Sequence, residues 1–302
     1  MFPSFLPASI HQLTELSSID LASQIQQADI NTSLVAQPIS TSYVCQGTCG
    51  IPIVFLHGFD SSLLEFRRII PIIADQQQVW AIDLLGFGFT ERLADCPLSA
   101  ESICTHLQAF WQTMINQPII LVGVSMGGAA AIEFTLNYPE TVAKLILIDS
   151  AGFSQPPAMG KFLIQPLGNL ATKFLSSPNV RKSVSEKAYF DKTLSTADAQ
   201  LCAALHLEMP RWSETLINFT RSGGYGYLLD RLSEIEQETL IIWGKQDQIL
   251  GTKPAQQFQQ GLPNGQLHWI DRCGHVPHLE QPQVTAQLIL DFISRSNKSV
   301  PA

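Results

Sequence analysis

The sequence predicts an α/β fold: a mostly parallel central sheet with helices on both faces and a helical cap inserted late in the chain. Three observations predict it. Short apolar runs ending in Gly, Asp or His recur along the chain, helix-length segments alternate with them, and one long interval breaks the alternation. At 302 residues, 45% apolar and 15% charged, the chain can bury a large core and is too evenly mixed for disorder.

The runs are IPIVFLHG (51–58), QVWAIDLLGFG (78–88), PIILVGVS (118–125), AKLILIDSAG (143–152), ETLIIWGKQD (238–247) and GQLHWIDRCGH (265–275). Continuous apolar runs of this length read as strands buried on both faces, as parallel strands are. Helix-like segments fall at 63–73, 99–115, 127–137 and 254–260, with another at 282–293. Ligands gather at the carboxyl ends of such strands, so chemistry is expected just after each run. Between 152 and 232 no buried-strand pattern occurs, but five prolines and several amphipathic pieces do, which predicts the cap. The expected division is an arm at 1–40 with a weak amphipathic helix within 9–30, a core of 41–151 and 233–302, and a cap at 152–232.

Charge and cysteine usage exclude other classes. The net charge is −8 and the pI near 5.3, so no nucleic-acid partner is expected. Six cysteines lack the spacing of a zinc site or a disulfide framework, and neither a metal nor a cofactor is expected. The first basic residue is Arg67, which fits neither a secretory signal nor a transit peptide, and no apolar run approaches the ~20 residues of a spanning helix. A cytoplasmic protein is expected.

The stretch LVGVSMGGAAA at 121–131 carries the central chemical signal. Gly123-Val124-Ser125-Met126-Gly127 fits G-x-S-x-G at a strand-to-helix turn, where glycines two residues either side let neighbouring backbone approach and the serine is held clear of the sheet. The helix start behind it favours developing negative charge. A serine hydroxyl needs a base to take its proton, and the base needs an orienting acid. Asp247 and His275 stand after two later strands, giving the order Ser, Asp, His.

With these features in place the chain resembles the α/β-hydrolase superfamily over roughly 51–293. The resemblance rests on the HGF loop at 57–59, DLLGFGFT at 83–90, the serine elbow, the acid loop GKQDQIL and GH-x-P-x-x-E-x-P at 274–282. It implies the α/β-hydrolase fold with Ser125 as nucleophile, His275 as general base and Asp247 fixing its tautomer. It also implies an oxyanion hole from the backbone amides of Phe59 and Met126. His57 is then a structural histidine, Asp83 and Arg92 pin a glycine-rich loop, and Asp149 is structural or a reserve acid. His106, His206, His268 and His278 carry no motif role. Serine at the elbow, where dehalogenases and epoxide hydrolases of this fold have aspartate, implies acyl transfer from a carbonyl substrate.

The cap holds nine basic against six acidic residues, a net +3 that leaves −11 on the remainder. Solvated helix faces explain this. So does contact with an anionic membrane surface, with Phe162, Leu163 and Ile164 as the apolar part. MPRWSETLINFTR at 209–221 is similar to the late cap of carbon–carbon bond hydrolases of ring-cleavage products, which implies substrate binding by Arg211 and Trp212. There is a looser similarity to chlorophyll dephytylase-like hydrolases of prenyl esters. The expected function is a serine hydrolase acting on a small-molecule, apolar carboxylic ester; a carbon–carbon hydrolase, a prenyl-ester hydrolase and a hydrolase-like ligand receptor are the alternatives.

Overall fold

An eight-stranded sheet organises the chain in a computed structural model that describes residues 1–153 and 167–295. Phe162, Leu163 and Ile164, the expected apolar membrane contact, lie outside the described residues. The strands are β1 Gln26–Ile30, β2 Ile39–Gln46, β3 Ile53–Leu56, β4 Val79–Ile82, β5 Ile119–Val124, β6 Val142–Ile148, β7 Thr239–Gly244 and β8 Gly265–Ile270. Their order is β1-β2-β4-β3-β5-β6-β7-β8. The β1/β2 and β2/β4 pairs are antiparallel and the other five are parallel.

The six runs predicted as buried strands are β3 to β8. Along β5, Ile119 and Leu121 join the core on one face with Phe110 and Phe134, while Ile120, Val122 and Val124 join the other with Phe55 and Phe292. This alternation is why the run is apolar without interruption: both pleats are covered.

Two strands were not expected. The arm does contain a helix, α1 at Leu16–Ser23, but the chain turns at Ile25 and residues 26–30 become β1, so the sheet begins inside the segment assigned to the arm. QQADI and ISTSYVCQ carry no apolar run because β1 is an edge strand and β2 lies beside it. Backbone pairing in the register Gln26↔Tyr43 to Ile30↔Ile39 holds β1 in place.

Around the sheet lie α2 Ile70–Ala74, α3 Ala100–Met114, α4 Met126–Asn137, α5 Leu167–Leu175, α6 Pro178–Ala188, α7 Ala197–Cys202, α8 Trp212–Ser222, α9 Lys253–Gly261, α10 Pro277–Glu280 and α11 Pro282–Arg295. Ser99 caps α3 by accepting from Ser102 N at 3.1 Å, the side-chain oxygen satisfying an amide that the helix itself cannot. The cap interval contributes α5 to α8, and no strand is found among its described residues.

The arm is tied to the cap. Asp198 of α7 accepts from Thr14 N at 2.5 Å, Glu15 N at 2.9 Å and Ser18 Oγ at 2.6 Å, while Leu6 and Ile10 are buried. All six cysteines are free thiols. Among the described residues no helix is long and apolar enough to cross a membrane.

Candidate active site

Ser125 closes β5 and opens α4 with φ 51° and ψ −118°, a backbone conformation that costs a non-glycine residue of order 1–3 kcal/mol. Flanking contacts enforce it. Ser125 N donates to Ile148 O at 3.0 Å, and its own carbonyl accepts from Ala151 N at 2.9 Å and Gly128 N at 2.9 Å. The glycine requirement is steric: a Cβ on Gly127 would sit 2.1 Å from Leu56 O, and one on Gly123 would sit 2.2 Å from Gly127 O.

His275 follows β8 and Asp247 follows β7, which are paired in register up to Gly244↔Ile270. His275 Nδ1 and Asp247 Oδ2 are 2.9 Å apart, and Asp247 Oδ1 accepts from Ile249 N at 2.7 Å and Leu250 N at 3.0 Å. Burial pushes the Asp247 carboxyl up, but the hydrogen bond and charge of His275 and the two amides outweigh it and hold the group below the usual carboxylate range. Asp247 is therefore an anion against Nδ1, which leaves Nε2 to act as the base. Ser125 and His275 line one cavity of about 280 Å³.

Asp149, at the end of β6, accepts from Gly244 N at 3.1 Å, and its carboxyl lies within 4.8 Å of those of Asp247 and His275 Nδ1/Nε2 in one buried group. Burial, then the neighbouring Asp247 charge, raises its pKa well above the usual range. Asp149 thus stands beside the carboxylate that meets His275, not in its place.

The expected oxyanion donors stand at the loop after β3 and the first residue of α4. Neither Phe59 N nor Met126 N has a protein acceptor among the described residues. The loop is braced beneath by Glu65, which accepts from Gly58 N at 3.1 Å with His278 Nε2 3.2 Å from its other oxygen. His57 is wholly buried. Its Nδ1 bonds Gly58 O at 2.7 Å, its Nε2 accepts from Leu84 N at 3.1 Å, and burial lowers its pKa to about 4, so it is a neutral brace. Asp83 accepts from Leu63 N and Phe89 N at 2.7 and 2.8 Å, and Arg92 donates to Gly86 O and Gly88 O, which pins the glycine-rich loop.

Sequence reasoning missed the residue next to Phe59. Asp60, buried at φ 50°, receives three donors from the cap: Arg181 Nη1 at 2.7 Å, His206 Nε2 at 2.9 Å and Trp212 Nε1 at 2.7 Å. Arg181 also donates to Ala203 O. Burial pushes the Asp60 carboxyl up, but His206, Arg181 and Trp212 together hold it far below the usual range. Nothing in the local sequence marks Asp60, because its partners lie 121 to 152 residues away.

The pair expected to bind substrate is divided by the structure. Arg211 opens α8 at φ 63° and turns to Glu214, one helical turn on, at 2.6 Å; Trp212 is the indole donor to Asp60. Neither lines the cavity that holds Ser125 and His275. Glu280, the acid of the terminal motif, accepts from Gly274 N at 2.7 Å and from Phe190 N and Asp191 N at 3.1 and 2.7 Å, and His275 N donates to Ala188 O at 2.7 Å. The histidine loop and the cap are therefore joined.

A sharp serine turn after the fifth strand, an acid after the seventh and a histidine after the eighth define one class of protein. Over residues 51–282 the chain matches the alpha/beta hydrolase fold family, and it belongs to that family. It is 33% identical to the alpha/beta hydrolase domain-containing protein VTE7 of Arabidopsis thaliana, across 97% of this chain and 91% of that one. It is 26% identical to 2-hydroxy-6-oxo-2,4-heptadienoate hydrolase of Pseudomonas putida, across 88% and 97%. Among solved structures, a thermophilic esterase from Thermogutta terrifontis shares the fold with a TM-score of 0.77 at 21% identity, covering 89% of this chain and 98% of that one.

Proposed function

We propose that the protein is a serine hydrolase that cleaves a carboxylic ester through an acyl-enzyme. The observation that carries this reading is the shared cavity wall: Ser125, held at positive φ, and His275, bonded through Nδ1 to Asp247, line the same cavity. Ser125 Oγ attacks the ester carbonyl as His275 Nε2 takes its proton. The amides of Phe59 and Met126 receive the oxyanion, and His275 returns the proton to the departing alkoxide. Water then repeats the sequence on the acyl-enzyme and releases the acid. Val184, Ala188, Ala203, Ile249, Val276 and Leu279 supply an apolar wall suited to hydrocarbon parts of the substrate.

Carbon–carbon cleavage of a ring-cleavage product is the alternative, and the Pseudomonas putida relative is named a 2-hydroxy-6-oxo-2,4-heptadienoate hydrolase. The ester reading is favoured because Arg211, the residue that suggested a ring-cleavage substrate, is paired with Glu214 away from the cavity. A fluorophosphonate probe on the full-length protein tests it. Wild type is expected to label at one site and Ser125→Ala at none, with ester turnover lower by about 10⁴-fold or more in the variant. Absence of wild-type labelling refutes the reading, and so does turnover of a ring-cleavage product without turnover of p-nitrophenyl esters.

The cap also supports contact with an anionic membrane surface. Leu170 and Phe174, one turn apart on α5, are 67% and 64% exposed with Lys173 beside them. Co-sedimentation is expected with anionic but not neutral vesicles, and to be lost in Leu170→Ser/Phe174→Ser. Equal pelleting with both lipids, or with neither, removes the proposal.

A further inference from the structure

The cavity has a second polar pole. Arg67 follows the 3₁₀ turn Leu63–Phe66, is 1% exposed and lines the same cavity as Ser125 and His275. Its Nη1 donates to Leu64 O at 3.2 Å, but Nε and Nη2 have no hydrogen-bond partner among the described residues. An arginine cannot relieve burial by losing its proton, so two N–H groups of a buried full charge stand unmet.

The acids nearby are already committed. Glu15 Oε2 stands 3.9 Å from Arg67 Nε, beyond hydrogen-bond reach, because Arg68 grips both Glu15 oxygens through Nε at 2.6 Å and Nη2 at 2.9 Å. Asp198 is spent on Thr14, Glu15 and Ser18. Tyr189 and Cys202 complete the surroundings, and burial keeps both protonated; the Tyr189 hydroxyl faces the guanidinium as a neutral contact outside hydrogen-bond geometry and supplies no anion. Arg68 thus shows how this scaffold satisfies the Nε/Nη2 edge of a guanidinium: with a carboxylate, held two-pronged. One residue earlier, on a side chain that lines the cavity, the same edge of Arg67 has no carboxylate.

We propose that Arg67 receives a carboxylate of the substrate, so that the ester cleaved at Ser125 carries an anionic group at its far end. This rests on the serine-esterase reading and names its substrate class. The apolar residues that line the rest of the cavity suit a hydrocarbon spacer, and the length of that spacer sets which ester reaches both Ser125 and Arg67.

Binding to full-length Ser125→Ala, which needs no turnover, provides the test. Two ligand series of graded chain length are titrated: monomethyl esters of dicarboxylic acids against their dimethyl esters, and acetoxy carboxylic acids against their methyl esters. Together they put the carboxylate on the acyl or on the alcohol side. At one chain length the acid is expected to bind about 30-fold tighter than its neutral ester. Adding Arg67→Met removes that preference, and adding Arg67→Lys, which keeps the charge without the fork, retains about a tenth of it. No preference at any length in either series overturns the proposal, as does a preference that survives Arg67→Met. A purely structural Arg67 would lower the melting temperature in both variants and weaken acid and neutral ester alike. Fluorophosphonate labelling of wild type separates the two layers: labelling without preference defeats only this inference, and preference without labelling defeats only the esterase reading.

Discussion

The two poles of the cavity are built by different means. At the Ser125 pole, main-chain geometry does the positioning: strand ends in register, a left-handed serine, and amides that hold the Asp247 carboxylate. Along the cap-facing wall, side chains from distant segments meet. Arg67 stands among Tyr189, Cys202 and the Glu15–Arg68 pair, and Asp60 is gripped by Arg181, His206 and Trp212. The Ser125, Asp247 and His275 group is anchored in the sheet, whereas the second group is held by ion pairs that the cap and arm complete.

Breaking the sheet-anchored pole has the largest expected effect. Asp247→Asn keeps the volume but removes the anion that orients His275, and kcat is expected to fall about 10³- to 10⁴-fold while the melting temperature changes little. Retention of activity within tenfold would mean that Asp149 ionises and takes over, contrary to its raised pKa.

Loosening the cap-side pole has the next largest. Asp60→Asn leaves the Arg181 charge without its carboxylate, a loss of about 3–5 kcal/mol when a buried pair is broken. Because Asp60 adjoins the oxyanion donor Phe59, kcat/KM is expected to drop about 10- to 100-fold alongside a lower melting temperature. Unchanged stability would show that the three cap donors do not hold the loop.

The smallest effect concerns the contact between α3 and the sheet. His106, buried and bonded to Thr41 Oγ1 at 2.8 Å, has its pKa lowered to about 4 by burial. As pH falls below 6.5 the unfolded chain takes up a proton that the fold refuses until near pH 4, so this site withdraws stability across that window. Between pH 7 and pH 5 the wild type should lose about 2 kcal/mol more than His106→Gln in urea unfolding. Equal losses would mean that His106 titrates freely.

What could be read from sequence follows the same division. Strands β3 to β8 and the order Ser125, Asp247, His275 are legible because each depends on a few adjacent residues and a short apolar run. Strands β1 and β2 are not, since QQADI and ISTSYVCQ owe their place to backbone pairing at the sheet edge. Asp60 and Arg67 carry no local signature, as their significance arises only when segments more than a hundred residues apart are packed together. Arg211 misleads for the converse reason: the stretch around it resembles a binding segment, but its side chain is drawn to Glu214.

Glu280 bears on how such proteins diversify. One carboxylate binds the histidine loop at Gly274 and the cap at Phe190 and Asp191. The cap is therefore not an interchangeable module bolted onto a finished catalyst. A chimaera that takes its cap from another relative must also preserve the 188–191 backbone and a matching partner for Asp60, or His275 will lose its registration with Ser125. Recombination of this chain is constrained at those seams.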